Sequence, residues 1–220
     1  MFSLETFHQR YETDTSDLVI RNRRFQFFAP RSLDDFVDPV DIFHDFPLWS
    51  KIWEASVVLA DHLAQIPPDP EKRFLEIGCG LGLVGVVAAS FGHRVTATEH
   101  NAHALDFVRA NARANLPSST GNLEILALDW NKPQLEGSFD CILGSEVIYH
   151  EKDFEPILKL FRTYLKPEGH IILAAAIRKT SVEFFRQAAR VFHMTARKKV
   201  LRSNGNEARF ILCTLRFKDS

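Results

Sequence analysis

The chain is poor in the features that mark many functional classes. It has three cysteines in 220 residues, Cys79, Cys141 and Cys213. Their spacing suits neither a zinc site nor a disulfide framework. Cys141 and Cys213 sit in apolar runs, which predicts buried free thiols and suits a reducing, cytoplasmic setting. No apolar run approaches the ~20 residues that cross a bilayer. Met1-Phe2-Ser3-Leu4-Glu5 lacks the basic start and long apolar core of a secretion signal. The net charge of -1 gives no overall pull toward nucleic acid or an anionic membrane. No persuasive metal cluster or nucleophile motif is present. What remains is 45% hydrophobic and 25% charged, as in ordinary globular chains. The length suits one sizeable core.

One stretch organises the rest: Arg73-Phe74-Leu75-Glu76-Ile77-Gly78-Cys79-Gly80-Leu81-Gly82-Leu83-Val84-Gly85. Residues 74–77 are an apolar run long enough for a buried strand. Three glycines follow at alternate positions, and residues 83–89 read as a buried helix. Strand, glycine turn and helix form a nucleotide site at the carboxyl edge of a parallel sheet. Glycine permits positive φ and close backbone approach, and the helix start offers free N–H groups. Gly80-Leu81-Gly82-Leu83-Val84-Gly85 also matches the dinucleotide fingerprint, so a nicotinamide-dependent oxidoreductase is one alternative.

Residues 1–46 read as an N-terminal extension. Leu18-Val19-Ile20 and Phe25-Gln26-Phe27-Phe28 flank Arg21 to Arg24, which predicts a β-hairpin. Asp34, Asp35, Asp38, Asp41 and Asp45 among Phe36, Phe43 and Phe46 read as a solvated acidic loop, with a face for a basic substrate as the alternative. From Pro47 a helix is expected to about Leu63, since Trp49, Ile52, Trp53, Leu59, Ala60 and Leu63 recur at helical spacing. Trp49 reads as core, while core packing and cofactor contact are both open for Trp53.

Further strands are expected at 94–99, 123–128, 139–144 and 169–175. Helices are expected at 102–115, 153–165 and 181–192, with Asn101 as the N-cap of the first. Glu99 ends a strand about twenty residues past the glycine turn, where a carboxylate can accept ribose hydroxyls. His100 and His103 read as surface or cofactor-edge residues. Two β-rich runs, 192–202 and 208–217, are joined across Asn204-Gly205, a hairpin signal. Arg197, Lys198, Lys199 and Arg202 make that end basic, as a charged edge strand or a binding face.

The run from Glu76 to Gly82, Glu-x-Gly-x-Gly-x-Gly, resembles motif I of class I S-adenosylmethionine-dependent methyltransferases. Lys166-Pro167-Glu168-Gly169 before a strand resembles them too. Pro47-x-Trp49-x-x-x-Trp53 is similar to a group that includes protein-lysine methyltransferases. The resemblance implies a Rossmann-like α/β fold: a mostly parallel seven-stranded sheet, helices on both faces and an antiparallel C-terminal hairpin. Residues 47–220 would form the methyltransferase domain. It implies S-adenosyl-L-methionine as cofactor, held by Trp53, Glu76, Gly78, Cys79, Gly80, Gly82, Glu99, His100, Asn101, Asp129, Trp130 and Ser145. Asp129 would approach the adenine amino group and Trp130 would cover the ring.

The candidate catalytic residues are Glu146 and Tyr149, since Glu146-Val147-Ile148-Tyr149 departs by one methylene from the Asp-x-x-Tyr of related lysine methyltransferases. No Asn-Pro-Pro-Tyr and no Pro-Cys occurs there, which argues against amino-methylation of adenine or glutamine and against cytosine C5 chemistry. The implied activity is N-methylation of an amine such as a protein lysine. A small-molecule acceptor and a non-catalytic binding module stand as alternatives. The acceptor is thus a protein or a small molecule, and neither nucleic acid nor membrane is an expected partner.

Overall fold

The computed structural model describes residues 2–38, 40, 46–117, 120–203 and 206–218. It opens with helix α1 (Leu4–Arg10) and the antiparallel strands β1 (Thr13–Ile20) and β2 (Arg23–Pro30). A 3-10 turn at Leu48–Ser50 precedes α2 (Glu54–Leu63). Then come β3 (Arg73–Ile77), α3 (Leu83–Ser90), β4 (Arg94–Glu99), α4 (Ala102–Asn115), β5 (Leu123–Ala127) and β6 (Phe139–Ser145). The chain continues with α5 (Phe154–Tyr164), β7 (Leu165–Ala176), α6 (Lys179–Ala188), β8 (Phe192–Ser203) and β9 (Asn206–Phe217).

Seven strands form one sheet in the order β5-β4-β3-β6-β7-β9-β8. β3 to β7 are parallel, and β9 is antiparallel to both β7 and β8. The expected α/β architecture with its antiparallel C-terminal hairpin is therefore present. Strand order reverses between β4 and β6 on either side of β3, so ligand space opens at the carboxyl end of β3.

Alternation along the central strands feeds two cores. Phe74, Cys141, Leu143, Ile172 and Ala174 pack with Leu59 and Leu63 of α2 and Val84 and Val87 of α3. Leu75, Ile77, Ile142, Ile171 and Leu173 pack with Ile157 and Phe161 of α5 and Phe184 of α6 on the other face. All three cysteines are buried and unpaired. The hairpin β1–β2 lends Ile20, Phe25 and Phe27 to the first core.

Several boundaries differ from the sequence expectation. The helix expected from Pro47 starts at Glu54, because Lys51 and Trp53 are extended and the Trp53 indole Nε1 donates to the Leu48 carbonyl at 2.8 Å. Helix α6 runs from 179 to 188 rather than 181 to 192, since Phe192 is drawn into the sheet core. β7 starts four residues early at Leu165, with a register shift opposite Phe139 and Cys141. Helix α1 was not anticipated, although Ser3 caps it by accepting from Thr6 N–H and Leu4, Phe7 and Tyr11 follow at helical spacing. Asp34, Asp35 and Asp38 are exposed, as a solvated loop requires. Asp41, Phe43, Asp45 and the Asn204-Gly205 turn lie outside the described residues.

Candidate active site

A cleft of about 240 Å³ opens where the carboxyl ends of β3, β4 and β6 meet the segment before α2. Glu76, Gly78, Cys79, Gly80, Glu99, Trp130, Ser145, Glu146, Tyr149 and Trp53 all line it. Ten residues that the sequence and the family resemblance implicated, from five separate stretches, thus share one space. Gly82, His100, Asn101 and Asp129 lie outside the lining.

The glycine turn explains part of this division. Gly80 has φ +56°, and a Cβ there would stand 3.4 Å from the Trp49 carbonyl oxygen. It therefore gives the cleft a bare backbone floor. Gly82 has φ +81° and caps α3, and a Cβ there would stand 2.8 Å from Val108 of α4. Its lack of a side chain serves helix packing.

Glu99 binds the turn to the next helix. Its Oε2 accepts from Gly80 N–H at 2.9 Å, and its Oε1 accepts from His100 N–H at 2.8 Å and Asn101 N–H at 3.2 Å. Asn101 caps α4, its Oδ1 accepting from His103 and Ala104 N–H. His100 is exposed. Asp129 is taken up by its own turn, accepting from the backbone and side-chain N–H of Asn131. Those donors hold its carboxyl below the usual range. Trp130 instead turns in, over Gly78.

Glu76 is 2% exposed. Burial pushes its carboxyl up to about 8; the Gly85 amide opposes the rise and the Glu99 charge adds to it. Burial and the same two carboxylates raise the Cys79 thiol.

On the opposite wall Glu146 takes the left-handed backbone conformation, φ +50°, at 6% exposure. A side chain at positive φ is costly and marks a position fixed by its surroundings. Here the surroundings are β7 and its extension. Glu146 Oε1 accepts from Ala176 N–H at 2.6 Å, and Oε2 pairs with Arg178 Nη1 at 2.8 Å. The Arg178 guanidinium also stands 5.4 Å from the Tyr149 ring centre. The Tyr149 ring lies 6.1 Å from that of Trp53, whose other neighbour is Lys51 Nζ at 3.8 Å. Burial and the Glu146 charge raise the Tyr149 phenol, and Arg178 works against them.

Arg178, Lys51 and Trp49 were not nominated as site residues. Arg178 follows the carboxyl end of β7, the strand beside β6, so strand order would have flagged it. Trp49 is a core residue as expected, yet it also borders the cleft.

Five buried side-chain polar atoms lack a hydrogen-bond partner among the described residues. Four of them, Trp49 Nε1, Glu76 Oε2, Ser145 Oγ and Tyr149 OH, belong to residues that line this cleft. Native interiors satisfy such groups, so their concentration here marks a space built for a polar ligand.

The chain is similar to known proteins. Protein N-lysine methyltransferase METTL21A of Xenopus tropicalis is 35% identical over 130 residues, covering 58% of this chain and 60% of that protein. EEF1A lysine methyltransferase 3 of Mus musculus is 33% identical over 132 residues, covering 59% and 56%. The chain thus spans less than two thirds of either relative. The structure of precorrin-6y C5,15-methyltransferase from Geobacter metallireducens GS-15 shares the fold, with a TM-score of 0.60 at 18% identity over 75% of this chain and 88% of that one. The model of the lysine methyltransferase family matches residues 48–191. All ten of those residues lie inside that match, and the chain belongs to the lysine methyltransferase family.

Proposed function

We propose that this protein is an S-adenosylmethionine-dependent methyltransferase that N-methylates an amine, in the first instance a protein lysine side chain. The observation that carries the reading is the cluster of unpartnered buried polar atoms, Glu76 Oε2, Ser145 Oγ and Tyr149 OH, beside the bare glycine turn in one cleft. When bound, S-adenosylmethionine supplies a methyl group already activated on a positive sulfur. Gly78 to Gly80 would cradle its amino-acid part, Glu99 its ribose, and Trp130 would lie against a flat ring. His100, Asn101, Gly82 and Asp129 would support these groups from outside the cleft, through the turn and the start of α4.

The chain's own task is to desolvate and orient the acceptor. A carboxylate oxygen can accept more than one hydrogen bond. Glu146, already fixed by Arg178 and Ala176, therefore keeps capacity for an acceptor N–H while its charge is balanced. Tyr149 offers an otherwise unpartnered hydroxyl and, with Trp53, an aromatic face for a cationic amine. The names of the relatives favour a protein acceptor over a small molecule. Unpaired thiols accord with a cytoplasmic enzyme, and no described helix is long and apolar enough to cross a membrane.

Calorimetry with S-adenosylhomocysteine and with NAD tests the cofactor. Binding of the first alone is expected; binding of NAD alone would sustain the dinucleotide reading instead. Incubation of a eukaryotic cell extract with the protein and methyl-labelled cofactor tests the acceptor. Label recovered as methyl-lysine is expected, and label confined to small molecules would overturn the protein assignment.

A further inference from the structure

Lys51 is the one lysine among the described residues that lines the cleft. It is exposed, and its backbone is extended between the 3-10 turn and α2. Its root is held on both sides. Before it, Trp49 is buried with Phe107 and its carbonyl lies over Gly80. After it, Trp53 is fixed by the bond from its indole to the Leu48 carbonyl. The four-carbon stem carries Nζ to 3.8 Å from the Trp53 ring centre, and that ring neighbours Tyr149. No carboxylate among the described residues forms an ion pair with Lys51. The chain therefore places its own primary amine on the aromatic wall to which an alkylammonium acceptor would come.

From this we infer that Lys51 is a site of self-methylation in cis. The inference rests on the proposed methyltransferase reading. The step balances without any other reactant. Lys51 Nζ gives up a proton to solvent, and its lone pair forms the N–C bond to the sulfonium methyl. The C–S bond breaks with its electron pair going to sulfur, which leaves S-adenosylhomocysteine and a methylated Lys51. An amine tethered to the cleft wall meets the reacting centre at high effective concentration. A trimethylated Lys51 would lose every N–H and keep its cation on the Trp53 face, where it could still stand in the acceptor's path.

Mass spectrometry of the full chain, first as purified from expressing cells and then after incubation with S-adenosylmethionine, tests this. The expected result is added methyl mass on the peptide containing residue 51. It should be lost in Lys51→Arg and appear at a rate per chain independent of protein concentration. A second readout needs no turnover. Labelling of lysines by an acetylating reagent should slow at Lys51 when S-adenosylhomocysteine is bound, with lysines outside the cleft unchanged. Methyl mass on other lysines alone would overturn the inference. So would a rate per chain that grows with concentration. Tight S-adenosylhomocysteine binding with neither added mass nor protection at Lys51 would overturn it while leaving the methyltransferase reading intact. Absence of S-adenosylhomocysteine binding would instead remove both.

Discussion

Asn111 and Phe28 are joined twice. Phe28 N–H donates to Asn111 Oδ1 at 2.7 Å, and Asn111 Nδ2 donates back to the Phe28 carbonyl at 3.1 Å. The same amide nitrogen also donates to the Leu81 carbonyl at 2.9 Å. One fully buried side chain in α4 therefore completes the hydrogen bonding of the N-terminal hairpin and of the glycine turn together.

Asn111→Ala should leave three backbone groups short of a buried partner. Loss of about 2–4 kcal/mol is expected. Asn115 makes a similar pair of bonds to the exposed Gln26 of β2, so Asn115→Ala should cost about 1 kcal/mol or less. Urea titration of both variants measures the difference, and equal costs would show that burial does not set the scale here.

The motif glycines should fail in different assays. Gly82→Ala adds strain at φ +81° and a contact with Val108 at 2.8 Å, so about 2–4 kcal/mol of stability should go. Gly80→Val should also lose some stability, since valine is strained at φ +56° and meets the Trp49 backbone, but it should lose S-adenosylhomocysteine affinity beyond that, by displacing the turn that floors the cleft. Calorimetry showing unchanged affinity in Gly80→Val would remove the turn from the binding site.

Glu99→Ala should raise the S-adenosylhomocysteine dissociation constant about tenfold or more, through loss of charge-assisted hydrogen bonds. Glu99→Gln should fall between, because its carbonyl oxygen can keep either the Gly80 amide or the pair from His100 and Asn101 now bound by the carboxylate. A near-unchanged constant in Glu99→Ala would confine this residue to holding the turn.

The Glu76 carboxyl titrates near 8 when folded against an ordinary value of 4.5. The folded chain therefore holds a proton that the unfolded chain has released between those values. Its contribution to stability is fully present below about pH 4.5 and is lost as pH rises toward 8, with a slope of up to about 1.4 kcal/mol per pH unit. Glu76→Gln should flatten that dependence. Denaturation midpoints measured from pH 5 to 8 in both proteins give the comparison; parallel curves would place the titration elsewhere.

Tyr149→Phe removes a buried hydroxyl whose protein neighbour is the Arg178 guanidinium, without a well-formed hydrogen bond. Melting temperature should hold or rise slightly, whereas methyl transfer to extract protein should drop sharply. Full turnover in this variant would take Tyr149 out of the chemistry.

The central fold was legible because residues 139–144 and 169–175 are near-continuous apolar runs and glycine, Asn101 and the Asn-Gly signal punctuate the chain. Most residues proposed to hold the cofactor lie at or just past strand ends, so their order along the chain reports their position at the sheet edge, and the resemblance supplied the roles. Asp129 lies outside the cleft lining and closes its own turn through Oδ1, which a residue type read by position alone does not reveal. Trp49 and Trp53 fit a helical period, yet the Lys51 backbone between them is extended. The acceptor side was least legible. The partner of Glu146 is Arg178, thirty-two positions on, and only the pairing of β6 with β7 brings them together.

The interdigitation of terminal elements with the sheet core has a practical consequence. The family match ends at residue 191, yet Phe192, Cys213 and Leu215 fill one core and Phe210 and Leu212 the other. A polypeptide trimmed to residues 48–191 would turn β7 into a bare outer strand, with positions 171–176 open where β9 now pairs. Such an edge is a template for strand addition between copies. Trimmed that way, the protein should leave solution as aggregates on expression, and the C-terminal hairpin acts as the cover that prevents it.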